Sequence, residues 1–142
     1  MFIRLTGTMS VAGQLAAADM AAAAAAGYVA VVNNRPDREV SGQPTGADIA
    51  AAAAAAGLRY ATIPVGAAGL GPAQIEAMAA VLADSSGPVL AFCRSGTRST
   101  HLWALAAAQL GGDPDVIVEA AASGGYDIAG LRPALAHLSR KP

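Results

Sequence analysis

The only cysteine of the chain, Cys93, lies in the stretch AFCRSGTRSTHLWAL at residues 91–105. An apolar run precedes Cys93, whereas two arginines, a glycine and several hydroxyl residues follow it. Neighbouring positive charge and backbone N–H groups lower the pKa of a thiol and so favour the nucleophilic thiolate. A buried and inert cysteine, the alternative, accounts for the apolar run but not for the charged loop. The stretch therefore predicts a catalytic cysteine in an anion-binding loop.

The residues after Cys93 have the composition of a loop that holds an anion. Gly96 leaves room for backbone N–H groups to turn inward, and a helix is predicted to begin near Arg98 or Ser99. Arg98 brings a permanent positive charge close to the thiolate, so we expect it to act together with Cys93. The predicted anion-binding residues around this catalytic pair are Arg94, Ser95, Gly96, Thr97 and Ser99.

Three repeats of one pattern supply the elements that must position this loop. In each repeat an alanine-rich segment is followed by a glycine and then by a short β-prone run, at residues 28–33, 58–65 and 88–92. Alanine favours helix, glycine commonly follows the last helical turn, and short apolar runs are typical of buried strands. The alternation predicts an α/β fold with a mainly parallel central sheet flanked by helices. Cys93 would then follow a central strand at its carboxyl end, where such sheets bind ligands.

Length, charge and composition narrow the class of protein. The 142 residues contain no linker, so we expect one domain over residues 1–142. A net charge of -1 provides no field that would recruit nucleic acid or an anionic membrane. The alanine runs at 21–26 and 50–56 are too short to span a bilayer, and the first ten residues lack the apolar stretch of a secretory signal. One cysteine and two histidines argue against a disulfide framework and a metal site. We therefore expect a cytoplasmic protein without a metal or other cofactor.

The segment CRSGTRS resembles the active-site loops of cysteine-dependent protein phosphatases and of rhodanese-type sulfurtransferases. Together with residues 10–15, 31–44 and 58–65, it makes residues 2–110 similar to the phosphatase-like domain of beta-lactamase-hydrolase-like proteins, also described as sulfur transferases. The resemblance implies a protein-tyrosine-phosphatase-like α/β fold with Cys93 as nucleophile and Arg98 as loop arginine. In some relatives this domain is fused to a persulfide-oxidising metallo-β-lactamase-fold domain, which makes such an enzyme a candidate partner.

Three departures from the phosphatase pattern favour sulfur transfer. Four residues separate Cys93 from Arg98, one fewer than in phosphatases, which predicts a narrow cradle suited to a single sulfur atom. Phe92 stands where phosphatases usually carry a histidine, and residues 65–74 contain no carboxylate or histidine that could protonate a leaving group. We therefore expect a rhodanese-like sulfurtransferase with a Cys93 persulfide. It would take sulfane sulfur from a small-molecule donor and pass it to an external thiol acceptor.

A phosphomonoesterase that forms a phosphocysteine at Cys93 is the alternative. The segment NNRPDRE at residues 33–39 follows a predicted strand at the same sheet edge, so Arg35 could bind a substrate anion and Asp37 could serve as a general acid. The competing interpretation makes residues 36 and 37 a turn with solvated charges. His101, near the start of the predicted helix, fits a surface position better than a catalytic base.

Overall fold

A five-stranded sheet carries the site in a computed structural model that describes residues 1–67 and 69–140. The strand order is β1-β2-β5-β3-β4, with β1 antiparallel to β2 and the other neighbouring strands parallel. This arrangement confirms the predicted α/β fold with a mainly parallel sheet. The strands are β1 (Ile3–Thr6), β2 (Met9–Ala12), β3 (Ala30–Asn33), β4 (Arg59–Thr62) and β5 (Val89–Phe92).

Helices cover both faces of the sheet. They are α1 (Asp19–Ala25), α2 (Gly46–Ala55), α3 (Pro72–Asp84), α4 (Thr97–Gln109), α5 (Pro114–Ser123) and α6 (Arg132–Ser139), with a 3₁₀ turn at Ala129–Leu131. Alternate residues of β5 face opposite sides of the sheet. Leu90 and Phe92 pack with α1 and α2, whereas Val89 and Ala91 pack in the larger hydrophobic core, which α3, α4, α5 and α6 line. Burial on both faces explains why the strand sequences are apolar throughout.

The sequence signals for helix ends agree with the structure in most places. Thr45 caps α2, since its hydroxyl accepts a hydrogen bond from the Asp48 amide at 3.2 Å. Gly27 and Gly57 follow α1 and α2 with φ of 97° and 81°, which glycine adopts readily. The β1–β2 hairpin, in contrast, was not predicted, because its two short strands lie outside the repeated pattern.

The sheet brings the ends of its parallel strands to one edge. The last residues of β2, β3 and β4 are Ala12, Asn33 and Thr62. Ala12 and Asn33 both pair with Phe92, the last residue of β5, and Thr62 pairs with Asn33. Cys93 therefore emerges between the residues that follow β2 and β3. Among the residues that the structure describes, no helix combines the length and apolarity needed to cross a membrane.

Candidate active site

The Cys93 loop is a tight connection between β5 and α4. Helix α4 begins at Thr97, one residue earlier than predicted, and Gly96 precedes it with a left-handed φ of 88°. Cys93 has no exposed surface, and its sulfur accepts a hydrogen bond from the Gly96 amide at 3.1 Å. The shortened spacing therefore still produces a cradle of inward-facing N–H groups at a helix N-terminus.

The environment of Cys93 favours the thiolate. Burial by itself raises the pKa of the thiol, but hydrogen bonds from the backbone amides of Ser99, Ser95 and Gly96 and from the Ser99 hydroxyl lower it. The net result is a pKa below the usual value for cysteine. A lowered thiol pKa makes the nucleophilic form more abundant near neutral pH, which is the condition for covalent catalysis by cysteine.

Ser99 links the loop to the neighbouring strand. Its buried hydroxyl donates to Asn34 Oδ1 at 2.8 Å, and the Asn34 side chain in turn donates to the carbonyl of Ile63 at 3.0 Å. A hydroxyl has one proton, so Ser99 can direct it to Asn34 or to the sulfur of Cys93, but not to both. The residue is thus placed to respond to the charge on Cys93.

Arg98 is held in place by Glu39, a residue that the sequence analysis did not select. The guanidinium forms two hydrogen bonds to the Glu39 carboxylate, at 2.7 and 2.9 Å, and a third to the Val65 carbonyl at 2.8 Å. The Arg98 guanidinium is the main cause that lowers the pKa of Glu39 to about 2. Glu39 is therefore ionised at neutral pH and raises the pKa of Arg98 in return. This pairing fixes the charge that faces Cys93.

Arg35 joins the same cluster. It is 5% exposed, and it donates to Glu39 Oε1 at 2.8 Å and to Gln14 Oε1 at 3.0 Å. Two arginines therefore share one carboxylate, which leaves the cluster positively charged next to the loop. Such a cluster favours an anionic substrate.

Asp37 is directed away from this cluster. Its carboxylate accepts a hydrogen bond from the Gly46 amide at 2.8 Å, at the first residue of α2. Between Asp37 and Glu39, Arg38 adopts a left-handed φ of 61°, which turns the chain so that the two carboxylates serve different elements. The structure thus brings Arg35 to the Cys93 loop and places the Asp37 carboxylate at the start of α2.

Three other residues predicted for the anion-binding loop are exposed at the surface. Arg94, Ser95 and Thr97 are exposed, and the hydroxyls of the latter two lie 3.1 Å apart.

His101 is half-buried rather than fully on the surface, and burial lowers the pKa of its imidazole. Within the described part of the chain, no group of three or more potential metal ligands is found.

Tyr126 is a second residue of the site that sequence reasoning did not place there. Its hydroxyl donates to the Ser95 carbonyl at 2.9 Å, although 31 residues separate the two. Burial and the nearby charge of Cys93 raise the pKa of Tyr126. No local signal in the sequence could have found this contact, because it depends on how α5 packs beside the sheet.

The family described as "Beta-lactamase hydrolase-like protein, phosphatase-like domain" matches residues 2–110. The chain belongs to this family. It is 38% identical over 103 residues to the beta-lactamase hydrolase-like protein of Agrobacterium fabrum, a match that covers 72% of this chain. The chain spans about a quarter of that relative, since the match covers 24% of its length.

Solved structures agree with membership of the phosphatase-like domain family. A candidate phosphatase from Neisseria meningitidis is 31% identical, with a TM-score of 0.79 and 96% of each chain covered. A candidate phosphatase from Shewanella putrefaciens, at 20% identity and a TM-score of 0.72, shares the fold over 97% of this chain and 90% of its own. TpbA of P. aeruginosa, solved in complex with phosphotyrosine, shares the fold at 20% identity and a TM-score of 0.63, over 98% of this chain and 82% of its own.

These comparisons establish a phosphatase-like protein with a protein-tyrosine-phosphatase fold. They give no support to the sulfurtransferase that the sequence analysis favoured, and they agree better with the phosphatase given there as the alternative. The spacing argument rested on a loop too narrow for a phosphoryl group. In the structure, Gly96 and the early start of α4 still turn N–H groups toward the sulfur despite the missing residue.

Proposed function

We propose that this phosphatase-like domain is a cysteine-dependent phosphatase that hydrolyses phosphomonoesters through a phosphocysteine at Cys93. The observation that carries the proposal is the amide cradle around a thiol of lowered pKa, next to an arginine held by Glu39. Phosphoryl transfer is catalysed mainly by positioning and by stabilisation of charge on the phosphoryl oxygens. Backbone N–H groups and a fixed guanidinium provide both.

In the first step the Cys93 thiolate attacks phosphorus. A sulfur–phosphorus bond forms as the bond to the leaving oxygen breaks, and the loop amides with Arg98 hold the other three oxygens. In the second step water attacks the phosphocysteine, inorganic phosphate leaves, and the thiolate is restored. Since Cys93 is wholly buried, the residues that cover its sulfur must move for the phosphoryl group to reach it.

The substrate class follows from the acids available at the site. Glu39 is the carboxylate nearest to the loop arginine, and its pKa of about 2 makes it a poor proton donor. Asp37, the general acid suggested by the sequence, is engaged with Gly46. A site with little acid assistance acts best on esters whose leaving group departs as a stable anion. We therefore propose aryl phosphates as the preferred substrates.

Steady-state turnover tests this proposal. The purified protein and its Cys93→Ser variant would be assayed for phosphate release from an aryl phosphate and for thiocyanate formation from thiosulfate and cyanide. Phosphate release that requires Cys93, without thiocyanate formation, is the expected result. Thiocyanate formation that requires Cys93, with phosphate release at background, would overturn the proposal in favour of sulfur transfer. A circular dichroism spectrum of the variant verifies that it is folded.

A further inference from the structure

Tyr126 reaches the Cys93 loop from the turn that ends α5. The Tyr126 amide donates to the Ala121 carbonyl at 3.0 Å, and Gly125 before it has a left-handed φ of 95°. This turn belongs to the capping pattern that commonly ends a helix. The ring packs against the larger hydrophobic core, so the position of its hydroxyl is set by α5 and the core together.

The hydroxyl of Tyr126 acts on the same peptide group that binds the sulfur. Tyr126 donates to the Ser95 carbonyl at 2.9 Å, and the Gly96 amide donates to the Cys93 sulfur at 3.1 Å. These two groups belong to one peptide bond. In a planar trans peptide the C=O and N–H point in opposite directions, so fixing one fixes the other. Rotation of this peptide would break both hydrogen bonds and present a carbonyl to the thiolate.

Gly96 makes such a fixing contact necessary. Its φ of 88° lies in the left-handed region, where glycine meets little resistance to rotation. A Cβ atom built on Gly96 would collide with the Tyr126 hydroxyl and would lie 3.1 Å from the ring carbon that bears it. The Tyr126 hydroxyl therefore lies directly against the glycine of the loop.

We propose that Tyr126 is a positioning residue that locks the Ser95–Gly96 peptide with its N–H directed at the Cys93 sulfur. The orientation of this peptide is a property of the loop itself. Only the effect of Tyr126 on phosphate turnover rests on the proposed function. The orientation holds for whichever electrophile Cys93 attacks. Nothing in the motif around Cys93 indicates it, since Tyr126 comes from a different part of the chain.

The test is the thiolate pKa of Cys93 in Tyr126→Phe, which keeps the ring and removes the hydroxyl. Cys93 is the only cysteine, so the pH dependence of its ultraviolet thiolate absorbance, corrected with Cys93→Ser, reports this one group. Among the described residues, Arg98 and Tyr126 are the titratable groups whose pKa responds to Cys93. We expect the pKa of Cys93 to rise by about half a unit to one unit, since one amide hydrogen bond to the thiolate is weakened.

Tyr28→Phe is the matched control. The Tyr28 hydroxyl donates one hydrogen bond, to Ser10 at 2.7 Å, and the residue lies before β3 at the opposite end of that strand from the loop. Its loss should leave the pKa of Cys93 unchanged. An unchanged pKa in Tyr126→Phe, or an equal rise in both variants, would overturn the proposal. Because no substrate is used, this result is independent of whether phosphate is hydrolysed.

A double-mutant cycle with Gly96→Ala tests the contact itself. The added methyl group collides with the hydroxyl in the wild-type protein. In Tyr126→Phe that atom is absent, and only the close approach to the ring carbon at 3.1 Å and the left-handed backbone strain remain. Gly96→Ala should therefore raise the pKa of Cys93 less in the Tyr126→Phe background than in the wild-type background. An equal rise in the pKa of Cys93 in the two backgrounds would contradict the proposed role of the Tyr126 hydroxyl. If Gly96→Ala does not fold, the Tyr126→Phe measurement decides alone.

Discussion

Replacing Glu39 with glutamine removes the charge that holds Arg98 and Arg35 while keeping a similar shape. The pKa of Glu39 falls from its usual 4.5 to about 2 in the folded protein, chiefly through its hydrogen bond to Arg98. At ~1.36 kcal/mol per pKa unit, this fall sets an upper bound of ~3.4 kcal/mol on the stabilisation. Solvent screening reduces that figure, because the Glu39 side chain is 28% exposed. Arg35 is buried, however, and loses its charged partner, so we expect a loss of about 2 kcal/mol at pH 7.

The sign of the pH dependence follows from the direction of the shift. A depressed carboxylate pKa stabilises the folded state above the unfolded pKa, near 4.5, and this stabilisation is lost as the pH falls toward 2. Urea unfolding of the wild-type protein and Glu39→Gln between pH 3 and pH 7 measures the difference in free energy of unfolding. The difference should be constant above about pH 6 and should narrow below pH 4.5.

Glu76→Gln provides the control for this experiment. Glu76 is exposed on α3 and takes part in none of the ion pairs found among the described residues, so its replacement should have little effect at any of these pH values. A Glu39→Gln difference that stays the same from pH 3 to pH 7, or that equals the Glu76→Gln difference, would show that the ionised Glu39 carboxylate does not stabilise the folded protein.

Two further substitutions separate the roles of the remaining site residues. Ser99→Ala should raise the pKa of Cys93, measured by the pH dependence of its thiolate absorbance, because the Ser99 hydroxyl helps to lower it. It should also cost about 1–3 kcal/mol in urea unfolding, since the buried Asn34 oxygen loses its donor; an unchanged pKa would contradict this role. Asp37→Ala should lower the free energy of unfolding by about 1 kcal/mol through loss of the bond to the Gly46 amide. Turnover of an aryl phosphate by this variant should stay within about twofold of wild type, and a hundredfold loss would restore Asp37 as the general acid.

The sequence was sufficient for the parts of the fold that depend on neighbouring residues. Alanine-rich segments with a following glycine indicated α1 and α2, and the contiguous motif after Cys93 indicated the loop and its place at the carboxyl end of a strand. These features are local, because helix propensity and capping act over a few residues. The β1–β2 hairpin was missed because its strands lie outside the repeated pattern of alanine-rich segment, glycine and β-prone run.

The supporting residues of the site could not be found in the same way. Glu39 contacts Arg98 across 59 positions of the chain, and Tyr126 contacts the loop across 31. The charged segment at 33–39 suggested Asp37, whereas the backbone turn at Arg38 gives Glu39 the contact with Arg98. Which of two nearby carboxylates faces a site depends on backbone angles that the order of residue types does not determine. Counting residues between Cys93 and Arg98 likewise could not reveal how Gly96 shapes the loop.

Detection of the covalent intermediate is the most direct test of whether Cys93 attacks phosphorus. The protein would be mixed with an aryl phosphate, quenched in acid on the millisecond timescale, and examined by intact-protein mass spectrometry beside Cys93→Ser. We predict a mass increase of one phosphoryl group in the wild-type protein only, with formation and decay rates that account for steady-state phosphate release. Absence of this adduct and of phosphate release, together with the addition of one sulfur atom to Cys93 on exposure to thiosulfate, would contradict a phosphatase mechanism and favour sulfur transfer.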